Sequence, residues 1–223
     1  MARERLAFLN AVAIGILFFL FVDIVEHAAE PIEALATRHA GETWLLLFLL
    51  IVGFAGGLLS LVYYAQRTHR VRSESAERTA LVIAAGIGLH NFSEGLAIGS
   101  SSHAGGMTLA LMLIIGFGLH NATEGFGIAA PLAGQTAGWG FLAVAGLIAG
   151  GPTFLGTLLG YFFFSRPVSV LFLALASGAI MYVIGELMAA GRRLGAPTWN
   201  GWGLTVGLLA GVLTEVILSA AGG

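Results

Sequence analysis

Long apolar segments, separated by short polar or glycine-containing breaks, follow one another along the whole chain. Each runs for about 20 residues or more, which is the length that a helix needs to cross a hydrocarbon core of about 30 Å. The pattern predicts an all-α, polytopic bundle of transmembrane helices that forms a single transmembrane domain over residues 1–223. Seven spans are predicted, at 6–29, 43–65, 79–101, 106–130, 138–164, 168–190 and 201–221.

The distribution of arginine predicts how these spans are oriented. All ten basic residues are arginines, and four lie in the most polar connection, residues 66–78, which is predicted to be a short cytoplasmic loop. Because basic residues accumulate on the cytoplasmic side of a membrane, the N-terminus is placed inside and the C-terminus outside. Two arginines, Arg38 and Arg166, are then outside. The eight inside are Arg3, Arg5, Arg67, Arg70, Arg72, Arg78, Arg192 and Arg193.

The composition predicts a membrane protein and excludes some kinds of ligand and partner. Hydrophobic residues make up 57% and charged residues only 10% of the chain, against about 25% charged residues in soluble domains. A multi-pass protein of the cell membrane is therefore expected. Cysteine is absent, which excludes disulfides and thiolate metal ligands. The net charge of −2 and the lack of a basic tract argue against a nucleic-acid partner.

Glycines that recur every four positions predict faces on which helices approach closely. They have no predicted chemical role. The sets are Gly95 and Gly99, Gly146 and Gly150, Gly156 and Gly160, and Gly203, Gly207 and Gly211.

A repeated motif inside two apolar spans is the strongest signal in the chain. Residues 88–95 read GLHNFSEG and residues 118–125 read GLHNATEG, an offset of 30 residues. An ionisable side chain at the centre of a spanning helix costs about 2.5–3.5 kcal/mol on insertion scales. Two buried glutamates therefore need a compensating partner, and such residues usually mark a pathway through the membrane.

Helical geometry predicts that each motif forms a clamp. Residues four apart share a helix face, so His90 lies on the same face as Glu94, and His120 lies on the same face as Glu124. The two spans are joined by a short turn and are therefore antiparallel neighbours whose clamps face each other. Nitrogen and oxygen donors of this kind suit zinc, iron or manganese. The alternative is a set of interhelical His to Glu hydrogen bonds that only hold the bundle together. The predicted metal ligands are His90, Asn91, Glu94, His120, Asn121 and Glu124.

Further acidic residues suggest where an ion enters and leaves. The outer end of the first span carries a group spaced to share one helix face, although a solvated helix end is the alternative there. Glu186, near the inner end of the sixth span, is a candidate exit residue or a simple interfacial carboxylate. Glu215 is predicted to be merely solvent-exposed. The candidate entrance residues are Asp23, Glu26, His27 and Glu30.

The sequence around both motifs resembles the ZIP family of zinc and iron transporters. Residues 90–99 (HNFSEGLAIG) are similar to the family's fourth-helix signature, and residues 120–125 (HNATEG) to its fifth-helix counterpart. The likeness continues through residues 150–161 (GGPTFLGTLLGY) and 177–188 (SGAIMYVIGELM), which are similar to the sixth and seventh helices. It covers nearly the whole chain and is most specific between residues 86 and 161.

The resemblance implies roles for the six motif residues. It implies that His90, Glu94 and Glu124 coordinate a transported metal. His120 stands at a position that the family fills with His or Gln, and the two motif asparagines help to form a second, adjacent metal position. The family's fold is a bundle of eight helices that usually dimerises and moves metal toward the cytoplasm, with both termini outside. A homodimer is expected on this ground.

Two departures from the family's pattern stand out. The first apolar segment, which ends in residues 23–30 (DIVEHAAE), resembles the family's second helix, so the usual first helix has no counterpart here. Removing a leading helix turns an outside N-terminus into an inside one, which agrees with the arginine distribution. The family's sixth-helix motif often carries Glu before its proline, whereas Gly151 precedes Pro152 here. This weakens the second metal position.

The expected function is transport of a divalent transition metal toward the cytoplasm, with zinc first and iron, manganese or cadmium as alternatives. The ion is substrate, the bilayer is the surrounding partner, and no cofactor is expected. A membrane-embedded zinc-dependent hydrolase is the alternative, and it would need three protein ligands, a water position and a general base. The duplicated motif suits a passage better than a one-sided active site, so no enzyme is expected. A non-transporting metal sensor or structural subunit is a third interpretation.

Overall fold

A computed structural model describes residues 3–36, 39–69, 76–103, 107–132, 135–163 and 165–222. The described residues are helical almost throughout and contain no strand, which confirms the predicted all-α class. A short 3₁₀ turn, Ala130–Leu132, follows the fourth of the long helices. The long helices are α1 (Arg3–Leu35), α2 (Ala40–His69), α3 (Ala76–His103), α4 (Met107–Ala129), α5 (Trp139–Phe163), α6 (Arg166–Leu194) and α7 (Pro197–Gly222).

Within the described residues, six helices, namely α1, α2, α3, α5, α6 and α7, are long and apolar enough to cross a membrane. The remaining predicted span coincides with α4, in which several side chains lie outside the described residues. Most helices extend beyond the predicted spans, because helical hydrogen bonds continue into the polar interface where hydropathy no longer marks them. The predicted loop at 66–78 is accordingly shorter, since α2 takes in residues 66–69 and α3 takes in residues 76–78. Its middle, residues 70–75, lies outside the described residues.

The junction between α6 and α7 shows how the sequence ends one helix and begins the next. Gly195 adopts a left-handed backbone with φ of 67°, and its N–H donates to the Arg192 carbonyl at 3.2 Å. A glycine in this conformation is the common cap of a helix C-terminus. Pro197 then begins α7, where its missing N–H would have no helical partner. The chain therefore reverses direction within a few residues.

The helices alternate in direction, so the bundle has two chemically different ends. Asn10, near the start of α1, donates to the Leu187 carbonyl near the end of α6 at 3.0 Å. Arg166, at the start of α6, bonds Glu42 at the start of α2 at 2.9 Å. One end, called the arginine end below, carries Arg3, Arg5, Arg67, Arg78, Arg192 and Arg193. The other, called the acidic end, carries Asp23, Glu26, His27, Glu30, Glu33, Glu42 and Glu215.

Helix α3, which carries the first motif, lies at the centre of the bundle. In the most apolar 18-residue stretch of α3, 67% of the residues are buried, whereas the corresponding share is 17% in each of α2, α5 and α7. The outer helices instead expose large apolar side chains, among them Leu147, Phe154 and Trp202. Such a surface is typical of a protein whose solvent is lipid. The first motif is thus held away from lipid by the helices around it.

Close packing between α3 and α5 depends on glycine at specific positions. A Cβ atom added to Gly95 would collide with the Thr153 carbonyl, and one added to Gly156 would collide with the Phe92 carbonyl. Gly146 and Gly150, also predicted to line a packing face, have no neighbour from the described part of the chain within 4 Å of where a Cβ would stand. That part of the prediction was wrong, because the four-residue spacing marks a face of α5 but not which neighbour it meets.

Candidate metal site

The two motif copies lie on neighbouring helices, and their side chains meet. His90 and Glu94 are one turn apart on α3, with 3.1 Å between the imidazole Nε2 and the carboxylate Oε1. Glu124 of α4 approaches the same imidazole nitrogen, with its Oε1 at 3.9 Å. The Asn121 amide of α4 donates to Glu94 Oε2 at 3.3 Å. One imidazole, two carboxylates and one amide therefore form a single cluster across two helices.

The cluster is almost completely withdrawn from the protein surface. The exposed fractions are 5% for His90, 5% for Glu94 and 1% for Glu124. Buried charged groups require a compensating partner, because removing them from solvent is costly. When both carboxylates are ionised, one imidazole cannot neutralise them. A cation is the chemical complement of this arrangement.

Asn91 contacts a third helix as well as the cluster. It is buried, and its side-chain amide nitrogen donates to the Ala149 carbonyl of α5 at 3.0 Å. The same side chain lies beside the Glu124 carboxylate. Its amide nitrogen therefore ties α3 to α5, whereas its amide oxygen has no hydrogen-bond partner among the described residues. The oxygen is the atom that remains for a cation.

His120 is the one predicted ligand whose side chain cannot be compared with this geometry. Its backbone belongs to α4, but its side chain lies outside the described residues. Of the six predicted ligands, the structure brings together His90, Glu94, Asn121 and Glu124, with Asn91 beside the last of these.

The donor spacing is close to that of a metal site without matching it. No three His, Asp or Glu side chains in the described part of the chain are arranged to hold one ion as they stand. Metal–ligand bonds of about 2.0–2.2 Å place tetrahedral ligands about 3.4 Å apart. The observed separations of 3.1 Å and 3.9 Å from His90 lie on either side of that value. A side-chain movement of about 0.5 Å would bring Glu124 to the required distance.

A cavity of about 270 Å³ connects this cluster with the acidic end of the bundle. It receives carboxylates and imidazoles from three helices, and His27 Nδ1 lies 3.5 Å from the Asp23 carboxylate on its wall. Glu26 does not line it and is exposed instead. Its polar lining consists of Asp23, His27 and Glu30 of α1, His90, Ser93 and Glu94 of α3, Ser169 of α6 and Glu215 of α7.

Three polar residues of this cavity, Ser93, Ser169 and Glu215, were not among the predicted site residues. Glu215 was predicted to be merely solvent-exposed. It lines the same cavity as Asp23, although the two residues lie near opposite ends of the sequence. A carboxylate within the last apolar run was the signal that could have identified it. Ser93 lies inside the first motif, but a serine on a helix gives no sign of its partner. All three placements depend on which helices meet.

The candidate exit residue lies apart from the cluster. Glu186 lines a separate cavity of about 90 Å³ at the arginine end, together with Arg78 and Arg193. This cavity shares no lining residue with the acidic one. The positive charges of Arg78 and Arg193 in the same lining oppose the binding of a divalent cation there. Between the two cavities lies an apolar cluster that includes Leu17, Ile83, Ile87, Ile180 and Val183.

No protein-family model matches this chain, and no curated protein sequence matches it either.

Proposed function

We propose that this protein carries divalent transition-metal ions across a membrane through the His90, Glu94 and Glu124 cluster, as a member of the ZIP family that its motifs resemble. The observation that supports this most directly is the cavity at the acidic end. It is lined by three candidate entrance residues and by two of the predicted ligands. A purely structural set of His to Glu contacts would not need an acidic cavity leading to it.

The donor set indicates the class of ion. Imidazole nitrogen and carboxylate or amide oxygen suit zinc, iron and manganese, and the chain has no thiolate to favour copper(I). Zinc is the proposed substrate because four-coordinate sites with imidazole and carboxylate ligands are its usual environment in proteins. Iron, manganese and cadmium are the alternatives. The ion is cargo, and the protein is not proposed to be an enzyme.

The arrangement of cavities suggests how movement is gated. The cluster opens to the acidic cavity, while Leu17, Ile83 and Val183 belong to the apolar cluster on its other side. We infer that this is the state open to the acidic end, and that a rocking of helix groups opens the arginine end. The proposed pathway omits Glu186, because Arg78 and Arg193 line the same cavity.

Flux measurement with the purified protein tests this function. Proteoliposomes would be loaded with a metal-sensitive fluorescent chelator and exposed to zinc, iron, manganese or cadmium at two pH values. Saturable uptake above that of protein-free vesicles is expected, and its size ranks the four metals. Lipid or amide hydrolysis without any flux would favour the hydrolase, and tight binding without flux would favour a sensor.

We also propose that all seven helices, α4 included, cross the cell membrane with the arginine end in the cytoplasm and metal moving toward it. The clustering of arginine at one end supports this orientation. Since the chain has no cysteine, single cysteines report topology cleanly. A membrane-impermeant maleimide should label Glu33→Cys on intact cells but should label Glu77→Cys and Gln135→Cys only after permeabilisation. Labelling of Gln135→Cys from outside would show that α4 does not cross.

Asp23 and Glu26 are acidic residues of α1, and of these two only Asp23 lines the cavity. We therefore expect their substitution to affect uptake differently. A unit charge and a divalent ion about 8 Å apart in water interact by about 1 kcal/mol. Asp23→Asn should therefore raise the zinc concentration at half-maximal uptake roughly fivefold. Glu26→Gln is the matched control, because Glu26 is exposed and does not line the cavity. The difference should shrink at high ionic strength, and equal effects of the two substitutions would contradict the proposed entrance.

A further inference from the structure

Ser93 is a buried serine whose hydroxyl is not accounted for by the helix that carries it. The residue is 4% exposed, and its Oγ has no hydrogen-bond partner among the described residues. Helical serines usually donate to a backbone carbonyl three or four residues earlier. Other serines of this chain do so at 2.9–3.0 Å, namely Ser60 to Gly57, Ser100 to Ala97, Ser102 to Ile98 and Ser177 to Ala174.

The position of Ser93 suggests what its hydroxyl is for. It lies between His90 and Glu94 in the first motif and lines the same cavity as both. Buried hydroxyl groups nearly always have a partner, and leaving one without any is unfavourable. Ser100 and Ser102, which lie on α3 nearer the acidic end, donate to carbonyls of their own helix. The same kind of bond is available to Ser93. The missing partner is therefore expected inside the cavity.

We infer that the Ser93 hydroxyl hydrogen-bonds a water molecule that the ion keeps while His90 and Glu94 bind it. This inference rests on the proposed metal transport. A neutral hydroxyl is a weak direct ligand, whereas a site with few protein ligands leaves a coordination position for water. Groups that orient ligands from outside the coordination sphere commonly change metal affinity 10–100-fold when they are removed.

A contact through water makes Ser93 a specificity residue. Manganese favours oxygen ligands and water, so a group that holds a metal-bound water contributes most to its binding. Cadmium is softer and depends less on water. Ser93 therefore raises the affinity for the harder ions relative to cadmium, without itself touching the ion.

Calorimetric titration of the full-length chain in nanodiscs with manganese, zinc and cadmium tests this role. Ser93→Ala should lower manganese affinity at least about tenfold and cadmium affinity less than about threefold, with an unchanged melting temperature. Ser93→Thr, which keeps the hydroxyl, should stay within about threefold of the wild type for both metals. Ser177→Ala is the matched control, because that buried hydroxyl already donates to the Ala174 carbonyl.

The outcomes separate this inference from the function on which it rests. Equal losses for all three metals in Ser93→Ala would indicate a general structural effect and overturn the inference, as would wild-type affinities throughout. If the Ser93→Ala protein binds normally while loss of Glu94 and Glu124 abolishes binding, the transport site stands and the role of Ser93 falls. If the wild-type protein binds none of the metals, both fall.

Discussion

Zinc uptake into proteoliposomes is expected to fall to the level of protein-free vesicles when Glu94 and Glu124 are both replaced by glutamine. Glutamine keeps the shape of each side chain but removes the charge that a cation needs. Even a group outside the coordination sphere is worth 10–100-fold in affinity, so the loss of two direct ligands should exceed about 100-fold. His90 would remain as the only titratable partner within the described cluster.

The control for this double substitution is Glu77→Gln. Glu77 lies on the same helix as Glu94, but in its exposed first turn and away from the acidic cavity. It should leave the initial uptake rate within about twofold of the wild type, since a solvated charge contributes little. If Glu94→Gln with Glu124→Gln retained more than half of the wild-type rate at equal protein content, the cluster would not be the metal pathway.

The second large effect is expected from a methyl group placed between α3 and α5. In Gly156→Ala the new Cβ meets the backbone carbonyl of Phe92, which cannot move aside without moving α3. Overpacking of this kind costs typically 1–3 kcal/mol, occasionally more, which corresponds to a melting temperature lower by roughly 2–12 °C in a chain of this length. Because α3 also carries His90 and Glu94, uptake should fall with it.

Gly146→Ala is the matched substitution, since it adds the same methyl group to the same helix at a point where no atom of the described residues lies within 4 Å. Its melting temperature in detergent and its uptake rate should equal those of the wild type. Thermal unfolding followed by intrinsic fluorescence measures the first quantity. Equal stability of the Gly156→Ala and Gly146→Ala proteins would show that α3 and α5 do not pack as described.

The helical class and the approximate position of each helix could be predicted because they are local properties. An apolar run of sufficient length satisfies its backbone polar groups internally only as a helix when lipid surrounds it. The same reasoning could not locate helix ends closely: α1 extends to Leu35, beyond the predicted limit at residue 29. Hydropathy reports where lipid contact stops, and helical hydrogen bonding continues past that point.

Part of the candidate site was equally accessible to reasoning from spacing. His90 and Glu94 meet because residues four apart on a helix share a face, and Glu124 approaches His90 because α3 and α4, which are close in sequence, are neighbours in the bundle. The bond from Asn91 to the Ala149 carbonyl was not predicted, because it depends on where α5 lies. The same holds for Glu215, which enters the cavity through the position of α7.

By itself, the sequence determined that the chain is a helical membrane protein and that two copies of one polar motif lie within its apolar helices. Only the tertiary structure decided that Asp23 but not Glu26 lines the cavity, and that Gly156 but not Gly146 is needed for close packing. The physical reason is that helical periodicity defines a face of each helix. Which neighbour that face meets is decided by the packing of all the helices together.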